Sequence, residues 1–206
     1  MKRFAQLFHD LDESPKTNTR LDHLVQYFKT ANPVDSIWAC WFLAGNRIKG
    51  AIKTKELRKF ASEHSGLPEW LIEESHDRVG DLAETISLLV NAGGTGVTSL
   101  KEVILQYIKP MVLMNMAERK AKIFEAWDSL EDKELIPFHK LLTGGFRMGV
   151  SKGNLCKALA KVGGVEPAII AQRMAGKWTP ETMSLDEILN PENEEGRLCQ
   201  PYPFCL

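Results

Sequence analysis

The sequence predicts an all-α fold, a compact multi-helix domain of about eleven or twelve helices. Three observations carry this. Apolar residues recur at three- and four-residue spacing along nearly the whole chain, the period of one buried helix face. Capping pairs stand at segment starts: Asp81 with Glu84, Ser99 with Glu102, Ser184 with Glu187. No segment shows the alternation of a half-buried strand, and no repeat of fixed period is present.

Taken in order, Phe4, Leu7, Phe8 and Leu11 make the first apolar stripe, and Ser14-Pro15-Lys16-Thr17-Asn18 reads as a turn. Thr19 is the expected cap of the next helix, which carries Leu21, Leu24, Val25 and Phe28. Asn32-Pro33 ends it, and Pro33 suits the first turn of the following one. Segment 34–43 is apolar on most faces, the mark of a central helix, with Trp38 and Trp41 in the core and Gly45 as its stop. Segments 54–65 and 68–78 flank Gly66-Leu67-Pro68, and Asp81 caps a helix running to residue 90. Segment 91–97, with three glycines, reads as a flexible loop. Ser99 opens a helix with Val103, Ile104 and Tyr107 that Pro110 interrupts, after which 111–130 reads as one long helix and 132–142 as another. Helices at 154–162 and 167–175 are separated by Gly163-Gly164, and a short one follows Ser184. The expected organisation is a domain at 1–190 with no clear internal linker, then an acidic, irregular linker at 191–206.

The chain has 206 residues, 44% hydrophobic and 26% charged, the composition of an ordinary soluble globular protein. No apolar run reaches a membrane span and Met1-Lys2-Arg3-Phe4 does not open a signal peptide. Cys40, Cys156, Cys199 and Cys205 form no CxxC pair. Reduced thiols in a cytoplasmic protein are the expectation.

Net charge is −1, but its distribution is uneven. Residues 180–206 hold six acids and one base, whereas 137–179 hold seven bases and only Glu166. A second basic stretch spans 43–60, with Arg47, Lys49, Lys53, Lys55, Arg58 and Lys59 against Glu56. Inside the first stretch lies Thr143-Gly144-Gly145-Phe146-Arg147-Met148-Gly149-Val150-Ser151-Lys152-Gly153, four glycines around one arginine between two helical patterns. Two readings are open here. Glycines let backbone approach an anion, and helix-start N–H groups with nearby bases favour one. Equally, the segment is a glycine-rich turn beside a solvated basic face.

Enzymatic signatures are missing. The five histidines include no HExxH and no cluster with cysteine, there is no GxSxG, and Glu73-Glu74 reads as a solvated helix face. Gly93-Gly94-Thr95-Gly96 lacks the Gly-Lys-Ser/Thr ending and preceding strand of a phosphate loop. No Asp is followed by Gly, so the Lys-x-Asp-Gly signature of covalent nucleotidyl transfer is absent. A binding module fits better than an enzyme, with no catalytic or metal residue.

Several motifs then converge on one family. Phe4-x-x-Leu7-Phe8, Thr17-Asn18-Thr19-Arg20-Leu21, Trp38-Ala39-Cys40-Trp41-Phe42-Leu43-Ala44-Gly45, Glu74-Ser75 leading into Val79-Gly80-Asp81-Leu82-Ala83-Glu84-Thr85-Ile86, 142–151 and Pro201-Tyr202-Pro203-Phe204 together resemble the N-terminal DNA-binding domain of bacterial ATP-dependent DNA ligases. The resemblance implies an all-α domain that grips nicked duplex DNA across the minor groove, working in repair, replication and recombination with a nucleotidyltransferase domain and an OB-fold domain. It implies phosphate contacts by Thr143, Gly144 and Gly145, a phosphate or sugar contact by Arg147, and a helix start at Ser151 and Lys152 aimed at the backbone. Thr17, Thr19 and Arg20 match a second helix start, for which backbone contact and plain capping stay open. Gly80 and Asp81 match a family motif but read as a structural cap. Lys49, Lys53 and Lys55 are candidates from charge alone. No cofactor belongs to this segment; ATP and Mg2+ are implied for the parent ligase. The chain stops at Leu206, before any lysine nucleophile, so the expectation is a fragment that binds nicked DNA without sealing it, nucleoid-associated and free of membrane. Two other readings compete: a sequence-specific regulator with a helix-turn-helix at 152–175 around Gly163-Gly164, and a helical scaffold for protein partners.

Overall fold

The computed structural model of the protein describes residues 1–94, 99–146 and 148–190. Among them only helices form regular structure: α1 Lys2–Glu13, α2 Thr17–Thr30, α3 Pro33–Leu43, α4 Thr54–Ser65, α5 Glu69–Val79, α6 Leu82–Leu89, α7 Leu100–Val103, α8 Lys109–Met111, α9 Met116–Ser129, α10 Asp132–Thr143, α11 Lys152–Gly163, α12 Pro167–Arg173 and α13 Leu185–Leu189. A π-helical turn, Ile104–Ile108, joins α7 to α8 without a break. Counted as one helix, that stretch brings the described residues to twelve helices, the all-α fold expected. None is long and apolar enough to cross a membrane.

The chain divides into two compact units. The first comprises Met1–Ala5 and Arg47–Phe146 and so contains α4 to α10. Its core holds Leu57, Phe60, Ile72, Ile86, Ile104, Ile123, Trp127, Leu135 and Phe138, all 0–1% exposed. α6 packs on α10, α5 and α4, and α9 on α4, α8 and the π turn. The second unit comprises Gln6–Asn46 and the chain from residue 147 onward. Here α11 packs on α2, α12, α13 and α3. α3 buries seven of its eleven residues, as a segment apolar on most faces requires. Trp38 lies in that core, and Trp41, half-buried, donates its indole N–H to the Trp178 carbonyl at 3.1 Å.

Three local expectations are corrected. Thr19 caps nothing: α2 begins at Thr17 with Lys16 at the cap position and no side-chain cap bond, so Thr19 lies within the first turn. Pro110 does not interrupt its helix. The Lys109 N–H bonds the Ile104 carbonyl, five residues back, and this wide turn accommodates a proline that lacks an N–H and crowds the carbonyl four residues before it. The break falls instead at residues 112–115, where Asn115 caps α9 by accepting from the Ala117 and Glu118 N–H groups at 2.9 and 3.1 Å. The glycine segment from residue 91 is not loose over its described part. Gly93 and Gly94 donate to the Trp127 and Leu130 carbonyls, both at 3.0 Å, and a Cβ on Gly93 would lie 2.0 Å from the Asp128 carbonyl oxygen. Residues 95–97 of that segment, and the linker at 191–206, fall outside the described residues.

Candidate nucleic-acid interface

The motif at 143–153 straddles the division of the chain at Phe146, and each unit builds on its own half.

In the first unit, α10 delivers the amino-terminal half. Gly144 ends the helix in the left-handed region, φ 72°, where only glycine is unstrained. The same residue lies against the other basic stretch: a Cβ there would meet Arg47 Cδ at 3.3 Å and the Ile48 carbonyl at 4.0 Å. The glycine turn after α10 therefore lies against Arg47 and Ile48 of the 43–60 stretch, nearly a hundred residues away in sequence. Thr143 turns its hydroxyl back to the His139 carbonyl at 2.8 Å, and the Gly144 N–H bonds the Leu141 carbonyl at 3.3 Å. That leaves the exposed Gly145 N–H, which has no hydrogen bond among the described residues, as the available donor of the trio. Arg47, Lys49, Lys53 and Lys55 are exposed, and none forms an ion pair with a described residue.

What holds α10 in place was missed by sequence reasoning. His139 is fully buried; its Nε2 accepts from the Trp127 indole N–H at 2.7 Å, which puts the ring proton on Nδ1, 2.9 Å from the Ser87 hydroxyl. Ser87 in turn donates to the Ala83 carbonyl at 2.7 Å. Burial holds the imidazole pKa down to about 3, against a smaller upward pull from the Ala83 carbonyl. The signal was readable: Leu135, Phe138, His139 and Leu142 keep the spacing of one apolar face. Asp81 is the structural cap expected, accepting from the Glu84 N–H at 3.0 Å and from Lys140 Nζ at 2.5 Å. Partial burial opposes its ionisation, but the Lys140 hydrogen bond and the Glu84 and Ala83 N–H groups outweigh it and hold the carboxyl below its usual range.

In the second unit, the carboxy-terminal half meets the start of α2. Ser151 caps α11, accepting from the Asn154 N–H at 3.1 Å. The N–H groups of Lys152 and Gly153, at the first two helical positions, have no side-chain cap and no acid in their turn. α2 likewise starts without a side-chain cap and without an acid in its first turn. Arg20 ties the two starts together: Nε donates to the Ser14 carbonyl at 2.6 Å and Nη1 to the Gly149 carbonyl at 3.3 Å. Thr17, Thr19 and Lys152 are exposed and Arg20 is half-buried. Two positive helix ends thus converge with Lys16, Arg20 and Lys152. Arg147 lies outside the described residues.

The helix-turn-helix reading fares poorly in this geometry. α12 has seven residues; its one base, Arg173, is buried and donates to the Ile188 carbonyl at 2.8 Å. Its exposed positions, with the cap residue, are Glu166, Pro167, Ala168 and Ala171, a face without the amide or guanidinium forks that read base edges. The N–H groups of Gly93 and Gly94, nearest in pattern to a phosphate loop, are spent on the Trp127 and Leu130 carbonyls at the end of α9.

The acid-free starts of α2 and α11 in one unit, and in the other the left-handed glycine ending α10 beside bases unpaired among the described residues, are features that suit an anion. Residues 1–160 match the family described as DNA ligase N terminus. The chain belongs to that family, the N-terminal domain of ATP-dependent DNA ligases, and its role is DNA binding in the service of ligation. No curated protein matches the chain.

Proposed function

We propose that the chain grips nicked duplex DNA without reading its sequence, through phosphate and minor-groove contacts, and so serves the ligase in repair, replication and recombination. In the first unit, Gly145 offers its N–H to a phosphate while Thr143 and Gly144 shape the turn, and Arg47, Lys49, Lys53 and Lys55 supply charge. In the second, the starts of α2 and α11 hold phosphate through Thr17, Thr19, Arg20, Ser151 and Lys152. Arg147, joining the halves in sequence, is assigned to phosphate or sugar. Its partners are the duplex and the nucleotidyltransferase and OB-fold domains of a parent ligase, whose ATP and Mg2+ chemistry lies outside this chain; its place of work is the nucleoid. The observation that carries the reading is the Arg20 bridge to Gly149, a bond across 129 positions in sequence that ties together two acid-free helix starts. Such contacts position a protein on DNA without specifying bases.

The test is fluorescence anisotropy with a nicked 20-mer over a salt series. Affinity should fall linearly on a log–log plot, by roughly 0.9 per phosphate neutralised. Arg20→Ala and Arg147→Ala should weaken binding alike on unrelated sequences. No binding at low salt overturns the proposal in favour of a protein scaffold, and preference for one sequence by several kcal/mol overturns it in favour of a regulator.

A further inference from the structure

The turn between α8 and α9 presents an apolar prong. Leu113 is 93% exposed, with Val112 at 37% and Met116 at 43% beside it. An exposed leucine alone means little, but this one is held rigidly. The Val112, Leu113 and Met114 N–H groups bond the Lys109, Pro110 and Met111 carbonyls at 3.2, 3.1 and 3.3 Å. Asn115 and Glu118 close the far side with a reciprocal cap, the Asn115 N–H donating to Glu118 Oε2 at 2.8 Å. Met111, fully buried, anchors the base. A side chain displayed on a fixed turn loses little conformational entropy when something covers it.

What surrounds the prong identifies the cover. Arg119 donates from Nε to the Met111 carbonyl at 2.8 Å and from Nη1 to Glu56 Oε2 at 3.2 Å. The same Glu56 oxygen accepts from the Lys53 N–H at 3.4 Å. This chain of three hydrogen bonds pins the apolar turn beside the start of α4, where Lys53 and Lys55 stand exposed and unpaired among the described residues. Arg119 offsets Glu56, and Glu118, held by the Asn115 N–H, leaves one negative charge against the two positive charges of Lys53 and Lys55. The charge left over is positive, so the fitting cover is a polyanion with an apolar interior. Duplex DNA is that: phosphates at the rim of a groove floored by sugars and base edges. Apolar side chains inserted beside phosphate-binding bases are a recurrent minor-groove device.

We infer that Leu113, supported by Val112 and Met116, packs into the minor groove beside the phosphates taken by Lys53 and Lys55. The inference rests on the DNA-binding reading above, and its signature is separable from it. An apolar contact releases no counterions, whereas each lysine–phosphate contact contributes roughly 0.9 to the salt slope. Leu113→Ala should weaken binding of the whole chain to nicked duplex by about three- to tenfold, the scale of withdrawing roughly one methylene's worth of burial from a partly covered contact, at every salt concentration and with the slope unchanged. Leu113→Met should bind like wild type. Lys53→Ala should lower the slope by roughly 0.9. Because Leu113 is exposed, its variants should keep the wild-type melting temperature. If wild type binds with a steep salt slope while Leu113→Ala binds within twofold of it, this inference fails and the DNA-binding reading stands; if wild type shows no salt-sensitive binding, the DNA-binding reading itself has failed.

Discussion

His139 makes the stability of this protein depend on pH in a calculable way. Its imidazole has a pKa of about 3 in the folded chain, against about 6.5 once unfolded. The folded form therefore binds fewer protons, and stability present above pH 6.5 is lost as pH falls toward 3. Linkage gives the size: at pH 5 the unfolded imidazole is almost fully protonated and the folded one almost fully neutral, which costs about 2 kcal/mol relative to pH 7. His139→Gln removes the titrating group while keeping a neutral polar side chain. It should be less stable at neutral pH, because Trp127 and Ser87 lose their partner. Its stability should nonetheless decline less between pH 7 and 5 than that of wild type, by the same 2 kcal/mol or so. Urea unfolding followed by tryptophan fluorescence, at both pH values and for both proteins, measures this double difference. The His139 ring proton resonance should also stay at its neutral shift down to pH 4.5. Parallel pH dependence of the two proteins, or an imidazole titrating near 6.5, refutes the argument.

Two further substitutions probe the frame. Gly93→Ala places a Cβ 2.0 Å from the Asp128 carbonyl oxygen, a backbone atom that cannot swing aside. About 2–4 kcal/mol of unfolding free energy should be lost through displaced backbone and a broken hydrogen bond, read by thermal or urea melts. Ser151→Ala removes the cap of α11; roughly 1 kcal/mol of stability should go, and nicked-duplex affinity should fall in the anisotropy assay.

Much of the frame is readable residue by residue because its causes are local. Asp81, Ser99 and Ser184 cap the helices their spacing to Glu84, Glu102 and Glu187 announces, and Gly66, Gly80, Gly144 and Gly164 stop helices with positive φ. A cap is decided within four residues, so sequence shows it. Thr19 failed because the turn at Ser14–Lys16 closes earlier, tied by Arg20 to the Ser14 carbonyl, and the same guanidinium also bonds the Gly149 carbonyl 129 positions away. The π turn before Pro110 is also a tertiary choice, since the local pattern supports either a stop or a wide turn. The same division holds at the candidate interface. Glycines and bases were visible as two clusters, while the fit of Arg47 against Gly144 and the Arg20 bridge to Gly149 had no trace in spacing. Arg119 had none either, because a residue that joins a main-chain carbonyl to a distant carboxylate obeys no period.

The wide turn at Ile104–Ile108 has a consequence for direction. A regular α-helix advances about 100° of azimuth per residue, and a turn closed five residues back instead of four holds one residue more. Everything after Ile108 is therefore out of phase with what a straight helix from Ser99 would present, by about one residue of rotation. The compass bearing of Leu113 is set there. The wide turn that accommodates Pro110 shifts the phase of the side chain three positions beyond it, although Pro110 itself is only half-exposed and ends no helix. Rotation about an axis, set by one extra residue in a turn, bears on where the leucine points.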